Sequence, residues 1–559
     1  MSKGAIAFIG NDLSLLPPHR DPQSGTTVGD ERVCHNGGSC VSCPEGTLAP
    51  VIEVEVHQQL RAFLRQQGES CWPHHLTMAR LVARALRLGR SSLIQTGAPS
   101  GYHGRYRISY LLPALMWPEG VVLVVPAAVQ SRLLKVDIPR LQQWIPTTKP
   151  IQVGDRWPSS SFQGLLITTP EAWLSDRLQH SGHIPDHIPT LVDGIDDLEA
   201  WVQNQLTAKV MPNHWDALMR ACPTQVDLIR DVRIYLTRSL FQHPENPYNC
   251  YRLEDQEQDA LFDLWRVFQG KDLLDQLPEV WQAFWEQFSC SPHLLWARLD
   301  RAQGKFSLNC RPLELADQLD LMWQLQPVIL IGGAVELDTQ ATVYRQRLGL
   351  GDMTCVKFAP DRQQESIQLY VPDRLPFPNT PEFQPAMMLE IRHLLMISAE
   401  RPGLTVLLVD DTPLKAQVAS VLAAEYGSRV QMERTCLDDN GILVSGWQFW
   451  QNHQAVFPAP QLLVMATLPI PSLENPLVAG RVAAYKKNRQ DWFRLYLLPE
   501  ALSTLQRAIA PVRETQGVVA LLDNRVNHRS YGQQVLEALS PMARLSYVDT
   551  SLFPHMDYR

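Results

Sequence analysis

Residues 92–113 read SLIQTGAPSGYHGRYRISYLLP and predict a strand, a glycine-rich turn and a helix in close succession. The apolar run Ser92–Thr96 is typical of a buried strand, and Ile108–Leu115 has the apolar content and length of a helix. Three glycines separate the two elements: Gly97, Gly101 and Gly104. A strand followed by a turn and a helix is the repeating unit of parallel α/β sheets, so this stretch indicates the fold class.

The turn has the composition of a phosphate-binding loop without its full consensus. Backbone N–H groups of a glycine-rich turn at a helix N-terminus bind anions. A Walker A loop, G-x-x-x-x-G-K-[ST], also needs a lysine, whereas Arg105 and Tyr106 follow the last glycine here. Arg105 is the candidate substitute, because arginine is permanently charged and binds phosphate bidentately. A tight turn without a ligand is the alternative interpretation.

Eight short runs rich in Val, Ile and Leu recur along the chain, separated by segments of helix length. Such runs are typical of parallel strands that helices cover on both faces. We therefore predict an α/β fold with two doubly wound parallel sheets. The runs are Ser92–Thr96, Val121–Pro126, Gly164–Thr169, Thr190–Asp193, Val328–Gly332, Thr405–Asp411, Leu462–Leu468 and Val518–Asp523.

The interval between about residues 200 and 326 breaks this rhythm. It is rich in Leu and Trp at helical spacing and poor in strand-like runs, which predicts a helical insertion. We interpret its aromatic residues as core rather than as a platform for bases. The predicted organisation is a poorly ordered tail over 1–50, a first domain over 51–335 that carries the insertion, and a second domain over 336–559.

Composition and charge exclude several classes of protein. The 559 residues are 45% hydrophobic and 19% charged, and their longest apolar runs are too short to span a bilayer. The first residues do not read as a secretory leader, and the ten cysteines are mostly scattered, so we expect a cytoplasmic protein with reduced thiols. The net charge of −8 argues against a surface that binds nucleic acid throughout.

A basic lobe nevertheless stands out in this acidic chain. Residues 57–157 contain 13 Lys or Arg against four Asp or Glu. Within them Leu76–Arg90 is predicted to be a helix, with Arg80, Arg84 and Arg87 repeating along one side. This cationic face suits a polyanion such as single-stranded nucleic acid. A solvated helix surface without a partner is the alternative.

Two further clusters are candidates for chemistry. Asp193 follows an apolar strand, where a Walker B aspartate would hold Mg²⁺, but the next residue is Gly194 rather than the glutamate that orients water. Carboxylates at an acidic helix start are the alternative interpretation. Cys40 and Cys43 have the C-x₂-C spacing of half a zinc knuckle, and Cys34 lies nearby; incidental thiols are the alternative because the outer ligands lack a standard spacing.

The order of these segments resembles the DinG/XPD group of superfamily 2 helicases over about residues 52–550. The resemblance also includes Tyr110-Leu-Leu-Pro113, Leu166-Ile-Thr-Thr-Pro170 and Thr467-Leu-Pro-Ile-Pro471. The C-terminal stretch from Leu498 through Gln506 and Arg513 to Gly532 completes the set.

The resemblance implies two RecA-like domains that clamp ATP and Mg²⁺ in their cleft and single-stranded DNA across their faces, with an arch-like insertion in the first. Gly97, Gly101 and Gly104 would then cradle phosphates, and Asp193 would face Mg²⁺. Gln506 and Arg513 would reach across from the second domain. Thr168 and Thr169 would contact the nucleic-acid backbone.

The sequence departs from this pattern at the residues that perform catalysis. The phosphate-binding lysine is absent, the glutamate is Gly194, and the expected Gly-Arg pair reads Ala510-Pro511. Because the segment between Pro126 and Gly164 has no cysteine, we expect no iron–sulfur cluster.

Three hypotheses follow from these observations. The chain is an ATP-driven DNA helicase with a variant site, a catalytically inactive pseudo-helicase that binds nucleic acid or a protein partner, or an unrelated α/β enzyme. We expect a monomer without a membrane anchor.

Overall fold

The computed structural model describes residues 51–67, 72–97, 104–145, 149–270, 273–290, 292–333, 335–360, 365–399, 403–548 and 552. The predicted tail over 1–50, with Cys34, Cys40 and Cys43, lies outside these residues. No helix of the described chain combines the length and the apolarity that crossing a bilayer requires.

In its described residues, the first domain begins with five strands and seven α-helices. The strands are β1 Ser92–Gln95, β2 Val121–Val124, β3 Ile151–Val153, β4 Leu165–Thr168 and β5 Thr190–Asp193. The helices are α1 Ile52–Gln67, α2 His75–Leu88, α3 Arg107–Met116, α4 Ala127–Arg132, α5 Ile138–Trp144, α6 Pro170–Leu178 and α7 Leu198–Gln205. The predicted helix over Leu76–Arg90 is confirmed as α2, and Gly89 ends it with a φ of +58°.

The insertion interrupts the first domain after α7, where the sequence predicts it. It is not purely helical, because four antiparallel strands in the order β6-β9-β8-β7 pack against its helices. Its strands are β6 Ala208–Val210, β7 Cys250–Arg252, β8 His293–Asp300 and β9 Lys305–Pro312. Its helices are α8 Pro212–Ala221, α9 Val226–Gln242, α10 Asp255–Gly270 and α11 Glu279–Ser289.

The prediction of a helical insertion was incomplete for a physical reason. Polar and charged residues interrupt the apolar residues of the β8–β9 hairpin, both at the exposed Arg298 and at the buried Ser307 and Asn309, so it lacks the continuous apolar run that predicts a strand. The prediction for the aromatic residues is confirmed, since Trp281, Phe284 and Trp285 are buried in the core of the insertion.

The first sheet is completed only after the insertion. Helix α12 Ala316–Leu325 leads into β10 Val328–Gly332, and α13 Thr342–Arg347 leads into β11 Thr354–Lys357. All seven strands are parallel, in the order β11-β1-β10-β5-β2-β4-β3. Because β11 pairs with β1, the first sheet extends past the predicted domain boundary at residue 335.

The second domain contains another seven-stranded parallel sheet, in the order β14-β15-β13-β16-β17-β12-β18. Its strands are β12 Ile367–Tyr370, β13 Thr405–Leu408, β14 Val430–Met432, β15 Ile442–Ser445, β16 Leu462–Met465, β17 Val518–Leu521 and β18 Met542–Leu545. Its helices are α14 Phe383–Ser398, α15 Thr412–Tyr426, α16 Trp447–His453, α17 Pro476–Lys487, α18 Leu498–Glu514, α19 Arg525–His528 and α20 Gly532–Ala538. Buried apolar clusters cover both faces of each large sheet, which confirms the predicted doubly wound α/β class.

Candidate nucleotide site

Other atoms of the protein pack closely against the two described glycines of the turn after β1. Gly97 has a φ of +75°, and a Cβ there would lie 2.9 Å from the carbonyl oxygen of Phe358. Gly104 has a φ of +50°, and a Cβ there would lie 2.2 Å from the guanidinium of Arg107. Gly101 lies outside the described residues. Both described positions therefore require glycine because protein atoms occupy the adjacent space.

The two residues after the last glycine of the turn differ from those of a Walker A loop. The consensus has a lysine and a serine or threonine there, whereas this chain has Arg105 and Tyr106, and Tyr106 caps α3. Arg105 is half-exposed, and its guanidinium lies 3.0 Å from a carboxylate oxygen of Glu514 in the second domain. The phosphate-binding role of Arg105 stays a prediction that competes with this ion pair.

Asp193, at the end of β5, is enclosed by three donors from α3 and its cap. Its Oδ1 accepts a hydrogen bond from the hydroxyl of Tyr106 at 2.7 Å. Its Oδ2 accepts from the hydroxyl of Tyr110 at 2.8 Å and from Nε of Arg107 at 3.1 Å. The side chain of Asp193 is 1% exposed. Burial, and then the charge of Asp193, raises the pKa of both tyrosines, so their hydroxyls remain protonated donors.

This geometry does not fit a magnesium ion bound to Asp193. Mg²⁺ needs carboxylate oxygens that are free to coordinate it, and both oxygens of this carboxylate already accept hydrogen bonds. The positive charge that balances Asp193 belongs to Arg107, which is itself 3% exposed. No cluster of three His, Cys, Asp or Glu side chains suited to a metal occurs among the residues the structure describes.

The residues after Asp193 connect β5 to its neighbours. Gly194 has a φ of +102°, a conformation that favours glycine, and it offers no side chain to orient water. The carboxylate of Asp196 accepts two contacts from the N–H of Gly333, at 2.9 and 3.1 Å, just after β10. Asp197 instead points to the second domain, where Arg507 on α18 donates to its two oxygens at 2.7 and 3.3 Å.

Arg507, rather than Arg513, is the described arginine of α18 that reaches across the cleft. Arg513 is buried and donates to four carbonyl oxygens of its own domain: Glu365, Leu539, Ser540 and Pro541. Burial lowers the pKa of Arg513 to about 10. Gln506 is half-buried on the same helix.

Sequence reasoning missed Arg507, although a signal for it exists. Glu500, Ser503, Thr504 and Arg507 recur at helical spacing and form one polar stripe on an otherwise apolar helix. All four side chains line the cavity between the domains.

A buried ion cluster joins the domains beside Arg507. Glu199 on α7 pairs with Arg347 of its own domain and lies 2.6 Å from Arg481 on α17. Arg347 also lies 2.6 Å from Glu500 on α18. Burial opposes ionisation of Glu199, but Arg347 and Arg481 outweigh it and lower its pKa to about 2. The cluster therefore holds both domains through groups that stay charged.

The cavity enclosed by these contacts has a volume of about 520 Å³ and an acidic lining. Its acidic side chains outnumber its arginines by five to three: Asp196, Asp197, Glu199, Glu336 and Glu500 against Arg347, Arg481 and Arg507. Such a lining disfavours a triphosphate in this arrangement of the domains.

The predicted nucleic-acid contacts of β4 lie at the carboxyl edge of the first sheet. Thr168 ends β4 and is buried, and its hydroxyl has no hydrogen-bond partner within the described part of the chain. Thr169 caps α6, because its hydroxyl accepts a hydrogen bond from the N–H of Ala172 at 3.2 Å. Their contacts with nucleic acid stay a prediction.

The predicted cationic face of α2 is exposed along its length, at Arg80, Arg84 and Arg87. Arg87 is already paired with Glu53 of α1 at 2.7 Å. Because α2 leads directly into the start of β1, its C-terminal end lies at the amino edge of the sheet. The face therefore extends away from the edge where Gly97, Thr168 and Asp193 lie.

Comparison of the sequence with known proteins finds partial matches to curated proteins. No family model matches the sequence. The chain is 25% identical over 255 residues to the "ATP-dependent DNA helicase YoaA" of Haemophilus influenzae, covering 43% of this chain and 40% of that one. It is 25% identical over 291 residues to the "3'-5' exonuclease DinG" of Bacillus subtilis, covering 46% of this chain and 30% of that one. The match therefore spans less than half the length of these curated relatives.

Solved structures extend the similarity to the whole fold. A structure titled "XPD_Helicase" superimposes with a TM-score of 0.54 and 12% identity, over 85% of this chain and 99% of that one. The structure of Xpd4 from S. tokodaii gives a TM-score of 0.54 at 12% identity, over 84% of this chain. The fold therefore resembles that of the XPD structures, with two RecA-like parallel sheets and an insertion in the first of them, and parts of the sequence resemble YoaA and DinG.

Proposed function

We propose that the protein is a helicase-like, nucleic-acid-binding protein that does not hydrolyse ATP. The enclosure of Asp193 by Tyr106, Tyr110 and Arg107 is the observation that supports this proposal most directly. A hydrolytic site of this fold needs that carboxylate for its metal ion. Arg107 instead supplies the positive charge from within the protein.

Other residues of the predicted catalytic site also argue against ATP hydrolysis. The position of the water-orienting glutamate is Gly194, and the loop has no lysine. Arg513 binds carbonyl groups of its own domain. Loss of one transition-state contact typically costs about 10²–10³ in rate, so three losses approach about a millionfold.

Binding of single-stranded nucleic acid is the part of the family's activity that needs none of these groups. Two RecA-like domains and a basic lobe suit a polyanion that lies across their faces. Single-stranded DNA is the proposed partner, and a protein partner is the expected alternative if no nucleic acid binds.

A steady-state ATPase assay tests the central claim. The full chain is incubated with Mg²⁺ and ATP, with and without single-stranded DNA, beside the variants Asp193→Asn and Arg507→Gln. We expect phosphate release at the level of a blank in every case. Turnover by the wild-type chain that DNA stimulates and that Arg507→Gln reduces would contradict the proposal.

The second candidate is an ATP-driven helicase with a variant site, and one contact favours it. Arg507 faces Asp197 across the cleft, as an arginine that senses a bound nucleotide would. Nucleotide held by the turn at Gly97 and Gly104, with Arg105, would raise the unfolding temperature of the folded state. A thermal-shift titration with ATP and ADP, with and without Mg²⁺, therefore separates binding from turnover. We expect any shift to be independent of Mg²⁺.

A further inference from the structure

A second cavity shares two arginines with the cavity between the domains. It has a volume of about 320 Å³, and Arg347 and Arg481 line both cavities. Its wall comes from three parts of the molecule: the link between β9 and α12, α13 of the first domain, and α17 of the second. This second cavity is here called the junction cavity. Its volume lies within the range of about 300–1,000 Å³ that is typical of small-molecule sites.

The ion cluster around Glu199 presents different charges to the two cavities. Glu199 and Glu500 line the cavity between the domains, whereas the junction cavity is lined by Arg347 and Arg481 without them. Among the described residues, one carboxylate lines the junction cavity, that of Glu314, and it is exposed, so solvent screens its charge. The junction cavity therefore meets two guanidinium groups whose carboxylate partners line the other cavity.

The cluster contains more guanidinium groups than carboxylates. Arg311 of β9 is mostly buried, and its Nη1 donates to the amide oxygen of Gln203 at 2.7 Å. No carboxylate of the described chain lies within 4.0 Å of this guanidinium. Burial, and then the charge of Arg481, lowers the pKa of Arg311 to about 10. With Arg347, three cations thus share two carboxylates, although buried charges normally have a partner each.

Arg347 also has a donor that the protein does not use. Its Nη2 contacts Glu199 and lies 2.6 Å from a carboxylate oxygen of Glu500. Its Nε is buried and has no hydrogen-bond partner within the described residues. A buried donor without an acceptor is destabilising. An anion in the junction cavity would bring acceptor oxygens to this side chain, which lines it.

The rest of the lining favours a hydrocarbon group. Tyr485 lines the junction cavity, and its ring stacks on that of Tyr496, with ring centres 6.1 Å apart and an angle of 11° between the planes. Apolar residues contribute from all three parts of the wall: Leu313, Leu315, Val343, Ala484 and Leu495. A ligand that fits this lining combines one anionic end with a compact apolar part.

We propose that the junction cavity binds a small organic carboxylate. Its carboxylate group would pair with the guanidinium groups of Arg347 and Arg481, and its hydrocarbon part would contact the apolar side chains. One negative charge matches the single cation in excess. The several charges of a nucleotide or a nucleic acid would exceed that cation and meet an apolar wall.

The position of the junction cavity gives such a ligand an effect on the domains. The ligand contacts α13 of the first domain, α17 of the second and the link that ends the insertion, so it binds the arrangement in which these three parts meet. A ligand that binds one arrangement shifts the equilibrium towards it. The carboxylate is therefore a regulator of the contact between the domains, and its binding requires neither ATP nor nucleic acid.

A ligand-detected NMR titration of the full chain tests the proposal with named probes. Phenylpropionate and hexanoate are compared with phenylpropionamide, which has the shape of the first probe without its charge, and with inorganic phosphate. We expect both carboxylates to bind saturably and to displace each other. The amide should bind at least about tenfold more weakly than its acid, because hydrogen bonds between charged groups are the stronger ones. Phosphate should displace neither carboxylate.

Two neighbouring substitutions on α17 locate the site. Ala484→Phe places a phenyl ring in the junction cavity and keeps every charge, so we expect it to weaken binding about tenfold or more. Ala483→Phe is the matched control, because Ala483 is exposed and does not line the cavity, and its affinity should stay within about twofold of the wild type. Arg481→Gln should weaken binding of the carboxylates and leave that of the amide unchanged. Thermal unfolding of each variant checks that it is folded.

The possible results separate a carboxylate site from other readings of the junction cavity. Binding of the carboxylates that Ala484→Phe weakens and Ala483→Phe does not supports the proposal. The proposal is overturned if neither carboxylate binds, if the amide binds as tightly as its acid, or if the two alanine variants bind alike. Displacement by phosphate would mean a general oxyanion site and overturns the assignment of an organic carboxylate. Because these titrations contain no nucleic acid, the proposed function stands or falls separately.

Discussion

At the scale of single residues, Arg107 determines the role of Asp193, because it supplies the positive charge that pairs with this carboxylate. Asp193 has the place in the fold of a metal-binding carboxylate, but its hydrogen bonds make it part of the core of the first domain. Tyr106 and Tyr110 satisfy the remaining acceptor capacity, so the buried charge pair is fully hydrogen-bonded. These contacts make Asp193 a structural carboxylate that joins α3 to β5.

Removing Arg107 should destabilise the protein strongly. Arg107→Leu leaves Asp193 buried without its cation, and breaking a buried ion pair costs about 3–5 kcal/mol. The free energy of unfolding is measured by urea denaturation. Arg105→Leu is the matched control, because its half-exposed pair with Glu514 should contribute less than about 1 kcal/mol. Equal stabilities of the two variants would contradict the structural role of Arg107.

His75 should make the stability depend on pH. Its Nδ1 lies 2.7 Å from the hydroxyl of Ser109, and burial, with a smaller contribution from His74, lowers its pKa to about 4. The unfolded chain binds a proton near pH 6.5, which the folded chain rejects until about pH 4, so stability falls as the pH falls through this window. The total loss is about 3 kcal/mol.

The variant His75→Gln isolates this contribution. Its free energy of unfolding should decrease less than that of the wild type between pH 7 and pH 4.5, as measured by urea denaturation at each pH. Parallel pH profiles for the two proteins would show that His75 titrates normally in the folded state.

At the scale of elements, α18 carries one of the contacts between the domains. Its apolar side packs on the second sheet, and its polar stripe lines the cleft, so one helix serves both the core and the interface. Arg507 and Asp197 form the central pair of this interface.

A double-mutant cycle should detect coupling between Asp197 and Arg507. Asp197→Asn, Arg507→Met and the double variant are compared by their free energies of unfolding. Because Asp197 is 41% exposed, solvent screens the pair and the expected coupling is about 1 kcal/mol. Additive effects of the two substitutions would mean that the contact does not stabilise the interface.

The strands that the sequence predicted share one property, which the two missed edge strands of the first sheet lack; the missed β15 is buried throughout like the predicted strands. All eight predicted apolar runs contain strands, because strands covered on both faces are apolar throughout. The missed β3 and β11 lie at the edges of the first sheet and are partly exposed, so their sequences alternate with polar residues. Each of them can be recognised as a strand only from its pairing with the neighbouring strand.

The site was harder to predict than the fold. The sequence singled out Gly97, Asp193 and Thr168 from their place at the ends of strands, and all three lie at the carboxyl edge of the first sheet. Their partners were not singled out, because the hydrogen bonds of Asp193 come from Tyr106 and Tyr110, which lie more than 80 residues away in sequence. Pairing across such distances is set by the packing of α3 on β5 and leaves no local pattern.

At the scale of the whole molecule, the ion cluster around Glu199 should make the two domains unfold together. Glu199→Gln leaves Arg481 and Arg347 without a shared carboxylate in a buried setting, which costs about 3 kcal/mol or more. We expect one calorimetric transition in the wild type and two in the variant.

The stability of the wild type and of Glu199→Gln can also be compared at different pH values. The pKa of Glu199 is about 2, below its ordinary 4.5, so its stabilisation is complete above pH 4.5 and is lost as the pH falls towards 2. The difference between wild type and Glu199→Gln should therefore persist at pH 5. A single transition in the variant at neutral pH would show that the cluster does not couple the domains.

The position of β10 between β1 and β5 has a consequence for synthesis on the ribosome. When β5 has emerged, the strand that must separate it from β1 is still more than 130 residues from being translated. The insertion, with its own sheet and core, is completed earlier and can fold while the first sheet still lacks its centre. A nascent chain stalled before β10 would therefore leave β1 without either neighbour and β5 without one, and such unpaired strand edges are substrates for chaperones and sites of aggregation.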